Sequence, residues 1–197
     1  MARIAGRHVR VPLAAIAIAS CAAFADPALL EGQAPVSRSD TVAETTKLRV
    51  ARDIMRAARF PALVTRAHTG ESSARTIDPL LPDSSFVVRF ATNPRSRKVR
   101  EIARDRRVTL FYFDPATQGY VSLIGTARIV SDPAQKRRYW KAEWAPHYPD
   151  RTNGVTILEV IPTRLEVVSI KEGITGDSVT WAAPVIRRFR RMPGDSR

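Results

Sequence analysis

The chain has 197 residues, 44% of them hydrophobic and 26% charged, with a formal charge of +13. That length suits one domain with a sizeable core plus tails. The single cysteine excludes a disulfide-stapled scaffold, and the balance of charge favours encounter with anions over cations.

The N-terminus reads as an export signal over residues 1–25. Arg3, Arg7 and Arg10 form a positive start, Val11 to Phe24 is apolar apart from Ser20 and Cys21, and Ala23-Phe24-Ala25 offers a cleavage site. The apolar run is short for a membrane span. Ile18-Ala19-Ser20-Cys21 also resembles a bacterial lipobox, so two outcomes stand open: removal after Ala25, or a lipid anchor on Cys21. The first gives an exported protein, periplasmic or secreted, and the second a lipoprotein. Without its first 25 residues the chain still carries about +10. Residues 26–39, with Pro27 and Pro35, read as a linker.

A helix is expected from Ser39 or Asp40 to about Arg59, with Leu48, Ala51, Met55 and Ala58 on one face. Pro61 introduces a strand over Ala62–Arg66, and Thr69-Gly70-Glu71 turns the chain into a second strand, Ser73–Asp78. After the proline-rich turn 79–83 a third strand runs from Ser85 to Thr92. Then comes TNPRSRKVREI, the stretch with the strongest chemical content. It opens a helix expected from Pro94 to Asp105 and places Ser96, Arg97 and Lys98 in the first turn. A helix start exposes N–H donors and partial positive charge, and arginine and lysine add cationic donors. The residues alone are equally compatible with a phosphate cradle and with a solvated basic helix start.

Val108–Phe113 is apolar at every second position and between, which predicts a central, fully buried strand. Tyr120–Val130 alternates, with Val121, Leu123, Ala127 and Ile129 on one face and Tyr120, Ser122, Thr126 and Arg128 on the other. Asp132-Pro133-Ala134-Gln135 is a helix start. That helix is expected to carry Tyr139, Trp140 and Trp144 and stop before Pro146. Val155–Ile161 and Arg164–Ser169 read as two strands split by Pro162-Thr163, and residues after Lys171 as an irregular end. The histidines, His68 and His147 among them, have no partner at metal-ligand spacing. Short strands that outnumber helices point to a mainly β antiparallel barrel with peripheral helices.

Four segments, taken together, resemble the split-barrel flavin-binding proteins of the pyridoxamine 5′-phosphate oxidase superfamily, in the general stress protein branch. They are Ala74-Arg75-Thr76, FATNPRSRKVREI with RDRRVTLFYFDP, GYVSLIGTARIVSDP, and YWKAEWAPHYPD. The resemblance covers roughly Leu48 to Trp181. It implies a split-barrel domain over residues 40–181 and a homodimer with flavin mononucleotide (FMN) at its interface; the basic tail over 182–197, read from its charge alone, is a solvated end or a contact for an envelope polyanion. The resemblance further implies that Arg75, Ser96, Arg97 and Lys98 hold the FMN phosphate. Thr76 and Ile77 would run along the ring system, and Thr92 would lie near the ribityl chain. Tyr120, which stands where the authentic oxidase keeps a glutamine, is carried as a further cofactor contact. Trp181 has no counterpart of the oxidase's C-terminal closing segment around it. The implied function is an FMN-dependent oxidoreductase acting on a small organic substrate. The alternative is a non-catalytic flavin- or haem-binding split barrel of the cell envelope.

Overall fold

The computed structural model describes residues 42–187. The expected signal, the linker, Cys21 and the tail from residue 188 lie outside them. Helix α1 spans Glu44–Ala58 and buries Leu48, Val50, Ala51, Ile54 and Met55. Its cap position is Ala43, with no side-chain cap bond, and the expected caps Ser39 and Asp40 lie outside the described residues. Seven strands follow: β1 Ala62–Arg66, β2 Ser72–Thr76, β3 Val88–Thr92, β4 Arg107–Asp114, β5 Gly119–Val130, β6 Thr156–Val168 and β7 Val185–Ile186. Helix α2 (Arg97–Arg104) connects β3 to β4. Helix α3 (Pro133–Arg138) and a 3₁₀ turn (Ala142–His147) connect β5 to β6.

The strands form one antiparallel sheet in the order β2-β1-β4-β5-β6-β3, with β7 also on β6. The two ends of that order meet. Pro79, three residues past β2, bridges Phe90 of β3, and the Leu80 N–H donates to the Arg89 carbonyl at 2.8 Å. The sheet thus curls into a split barrel whose seam lies between β2 and β3. Its interior is filled from alternate positions, Leu63, Leu110, Val121, Leu123, Val160, Leu165 and Val167, all fully buried.

Several expectations change. β4 is central but not buried on both faces: Phe111 and Phe113 are 39% and 48% exposed, because odd positions of β4 point out of the barrel. On β5 the expected inward Ile129 is exposed. Val130 turns in instead, its carbonyl held by the Thr156 hydroxyl at 3.1 Å. The two expected strands around Pro162 are one strand, β6. A bulge at Ile124/Gly125 places Gly125 opposite Pro162, which has no N–H to give the ladder. The fold also continues beyond Trp181: Ile186 of β7 is buried against β6. A two-residue strand carries too little periodicity to announce itself.

The aromatic helix also differs. Asp132 caps α3 as expected, accepting the Gln135 N–H at 2.8 Å, but the helix ends before Tyr139. Trp144 and Pro146 fall in the 3₁₀ turn. Lys141 is extended, and the Asp78 carboxylate draws this segment down, accepting from Lys141 Nζ at 2.5 Å and Trp144 Nε1 at 3.2 Å. That tertiary tie outweighs the local preference for a continuous helix. Asp132→Ala should cost about 1 kcal/mol in urea unfolding, the usual loss for an N-cap.

Candidate functional site

The residues with most chemistry gather at the seam. β2 ends at Thr76, β3 ends at Thr92, and α2 starts five residues later. The link between β3 and α2 is a built turn. Asn93 Oδ1 accepts the Arg95 N–H at 2.8 Å, and the Asn93 carbonyl accepts the Ser96 N–H at 3.0 Å. Ser96 occupies the cap position in extended conformation, but its hydroxyl makes no cap bond. That hydroxyl lies 3.4 Å from Thr92 Oγ1. Lys98 Nζ donates to the same Thr92 oxygen at 3.0 Å. Thr92 is buried, so it holds Ser96 and Lys98 at the end of β3.

The second half of the cluster centres on Glu101. Its carboxylate is buried on α2 and accepts from Thr65 Oγ1 at 2.5 Å and from Arg75 Nη2 at 2.8 Å. Arg75 also donates to Thr65 Oγ1. β1–β2 pairing sets Thr65 opposite Ser73, which makes Arg75 the diagonal neighbour of Thr65 on the same face. Arg97 Nε pairs with the other Glu101 oxygen at 3.3 Å, one helical turn apart, but its side chain is 66% exposed. Burial pushes the Glu101 carboxyl up. The Thr65 hydroxyl and the Arg75 guanidinium outweigh it, so the group sits below the usual range. Burial and then the charge of Arg75 push the Lys98 ammonium below its usual value. Arg75, Arg97 and Lys98 against Glu101 leave two net positive charges.

A cavity of about 450 Å³ adjoins this cluster, within the range of small-molecule sites. Thr76, Ile77, Thr92 and Lys98 line it, together with Asp78, Trp144, His147 and Tyr148. Asp78 is held by Lys141 and Trp144, as above, and the Tyr148 hydroxyl donates to the Ala91 carbonyl at 3.1 Å. Burial, and then the charge of Asp78, raise the Tyr148 hydroxyl above its usual value. The cavity wall offers the cations Lys98 and Arg59 beside the aromatic, hydrogen-bonding groups Trp144 and Tyr148, while Arg97 and Glu101 line a neighbouring cavity with His68.

A family model, Pyridoxamine 5'-phosphate oxidase like, matches residues 46–174, more than half of the chain. The chain belongs to the pyridoxamine 5′-phosphate oxidase-like family. Solved structures agree on the fold. A Clostridium acetobutylicum protein related to general stress protein 26 of Bacillus subtilis superposes with a TM-score of 0.61 at 16% identity, over 74% of this chain and 96% of that one. A pyridoxamine 5′-phosphate oxidase-related, FMN-binding protein from Nostoc punctiforme gives 0.50 at 18% identity, over 66% and 86%. A haem-binding protein from Mycobacterium smegmatis gives 0.53 at 20% identity, over 64% of this chain and 55% of that one. No curated protein matches.

In this member of the pyridoxamine 5′-phosphate oxidase-like family, one chain brings together Arg75, Thr76, Ile77, Thr92, Ser96, Arg97 and Lys98. It does not bring Tyr120 to them. Tyr120 pairs with Phe113 and Val168 on the outer face, its ring 5.6 Å from that of Phe111. Through Thr109, Val64 of β1 lies level with Ile124, so Tyr120, the second residue of β5, lies four residues from that level. Trp181 is also apart, 85% exposed. Sequence reasoning missed Glu101, although its i+4 spacing from Arg97 was a readable signal. It also missed Thr65, Asp78 and Tyr148, which only the folded register delivers. His147, given no role by the sequence, is exposed and lines the cavity.

Proposed function

We propose that this chain binds FMN at the seam and works as an FMN-dependent oxidoreductase on a small organic substrate. The observation that carries the reading is the cluster Arg75, Ser96, Arg97, Lys98 beside a cavity lined by Thr76, Ile77 and Thr92. A phosphate monoester carries nearly two negative charges at neutral pH, and the cluster offers two net positive ones. The Ser96 hydroxyl, not spent on capping, is a further donor. Bound there, FMN would supply hydride or electron chemistry, and the protein would supply binding, orientation and electrostatics. Arg75 and Lys98 would take the phosphate, and Trp144 and Tyr148 would limit water beside the ring.

The proposal includes a homodimer. Phe111, Phe113 and Tyr120 make an aromatic outer face on β4 and β5, suited to a second copy, and Tyr120 would act across that interface. It also includes export by the N-terminal signal, with FMN acquired outside the cytoplasm, and a basic tail available to envelope polyanions.

Two measurements test it. The visible spectrum of protein from its native compartment should show flavin. A Soret band would move the reading to haem, and a colourless protein that refuses added FMN would overturn it. FMN titration should then rank the cations. Lys98→Ala removes a half-buried ammonium at the cavity wall and should weaken binding by about 2 kcal/mol, roughly thirtyfold. Arg97→Ala removes a mostly solvated guanidinium and should cost at most about 1 kcal/mol. Equal affinity of Lys98→Ala and wild type would place the phosphate elsewhere.

A further inference from the structure

A second cavity of about 640 Å³ lies between α3, the 150–154 loop and the start of β6, and shares no lining residue with the seam cavity. Val155 and Ile157, both buried, give it an apolar base, and Trp140 gives it a flat wall. Three cations line it: Lys136, Arg137 and Arg151. Lys136 Nζ donates to the Thr152 carbonyl at 2.6 Å, fixing the loop against the helix. The Arg151 guanidinium stacks on Trp140, 4.6 Å from the ring centre. Among the described residues none of the three makes an ion pair. Lys136 acts by charge on the Asp150 carboxylate, and the nearby acids otherwise hold backbone N–H groups. Asp150 accepts the N–H groups of Thr152 and Asn153, and Asp132 accepts that of Gln135. The Trp140 Nε1 donor is buried and has no partner among the described residues.

The geometry points to a binding site for a small organic anion with a flat apolar body, of the aromatic carboxylate class. The apolar base and the indole favour a planar apolar group, and a purely apolar ligand would bury cations without pairing them. A bare inorganic anion would leave the base and indole unused. A carboxylate suits the planar fork that Arg151 already presents from its stack on Trp140. The site does not rest on the flavin reading. It does adjoin the seam cavity through aromatics: Trp140 packs edge-on against Trp144 at 5.8 Å and Tyr148 at 6.3 Å, and both of those line the other cavity.

The test uses the full chain and a fluorescent aromatic carboxylate, anthranilate, followed by anisotropy. Saturable binding is expected, with the neutral analogue anthranilamide at least roughly tenfold weaker by competition. The doubly substituted Arg137→Ala/Arg151→Ala chain should lose affinity by a similar factor while taking up FMN as the wild type does. Equal affinity for acid and amide would overturn the proposal, and that comparison needs no variant. Unchanged affinity in the double variant, or no saturation at millimolar anthranilate, would overturn it as well.

Discussion

Replacing Glu101 with alanine should destabilise the fold by about 3 kcal/mol at neutral pH, read as a shift in the urea midpoint. The carboxylate is buried and joins Thr65, Arg75 and Arg97. Its loss would leave Arg75, itself largely buried, without its counter-ion. Most of the effect is therefore the cost of an uncompensated charge, and Glu101→Leu combined with Arg75→Met should recover much of it. No recovery in the double variant would assign the loss to packing instead. The pH dependence has a definite sign. The Glu101 carboxyl lies below its ordinary value of 4.5 in the fold, so its contribution is complete above that pH and declines as the pH falls toward the folded value. The gap between wild type and Glu101→Ala should be widest near neutrality and narrow in acid. A constant gap from pH 7 to about pH 3 would show that the ionised form contributes nothing. FMN affinity should fall in the same variant, since Arg75 loses the group that aims it.

Gly125→Ala should be nearly as damaging, at about 3 kcal/mol, the upper end for forced overpacking. A Cβ built there would lie 2.1 Å from the Ile161 carbonyl oxygen and 3.0 Å from Pro162 Cα, both backbone atoms that no rotamer change can move. The only relief is to shift β5 against β6 at the bulge, which disturbs the longest ladder of the sheet. Gly70→Ala is the control. Its φ of +88° disfavours a side chain, but a Cβ there meets nothing within 4 Å. It should lose only about 1 kcal/mol in the same urea experiment. Equal losses at both positions would mean that conformation, not the close approach, decides Gly125.

What could be read beforehand was local. Ala62–Arg66 stands as a strand in the structure because Pro61 and the turn at Gly70 bracket an apolar alternation. Asp132 caps its helix because the Asp-Pro-Ala-Gln pattern carries its own donors and acceptors. Arg97 and Lys98 lie in the first helical turn as the strand-to-helix spacing puts them, although the helix begins at Arg97 and not at Pro94, which leaves Ser96 at its cap. What could not be read was set by other segments. Pro162 reads as a break, yet the glycine opposite lets one strand pass through it. Tyr139, Trp140 and Trp144 fit a helix, yet Asp78, more than sixty residues away, unwinds it. Phe111 and Phe113 look like core, yet the barrel turns them outward. Even Glu101, in full view among its basic neighbours, takes its meaning from Thr65 and Arg75 on other strands.

The seam has a mechanical consequence. Elsewhere neighbouring strands pair as ladders, from two residues between β6 and β7 and three between β1 and β4 up to the long run between β5 and β6. Between the β2 end and β3 the stitching is a lone bridge at Pro79 and Phe90 with the Leu80 to Arg89 bond. Local opening begins where such bonds are fewest, so amide exchange at Leu80 should outpace that at Leu123. The seam cavity draws its lining from both lips of that gap, Thr76, Ile77 and Asp78 on one side and Phe90, Ala91 and Thr92 on the other. Any molecule that grips both lips is a clasp. It is worth most to the native chain at its loosest joint, and its uptake there and the final tightening of the barrel become one event.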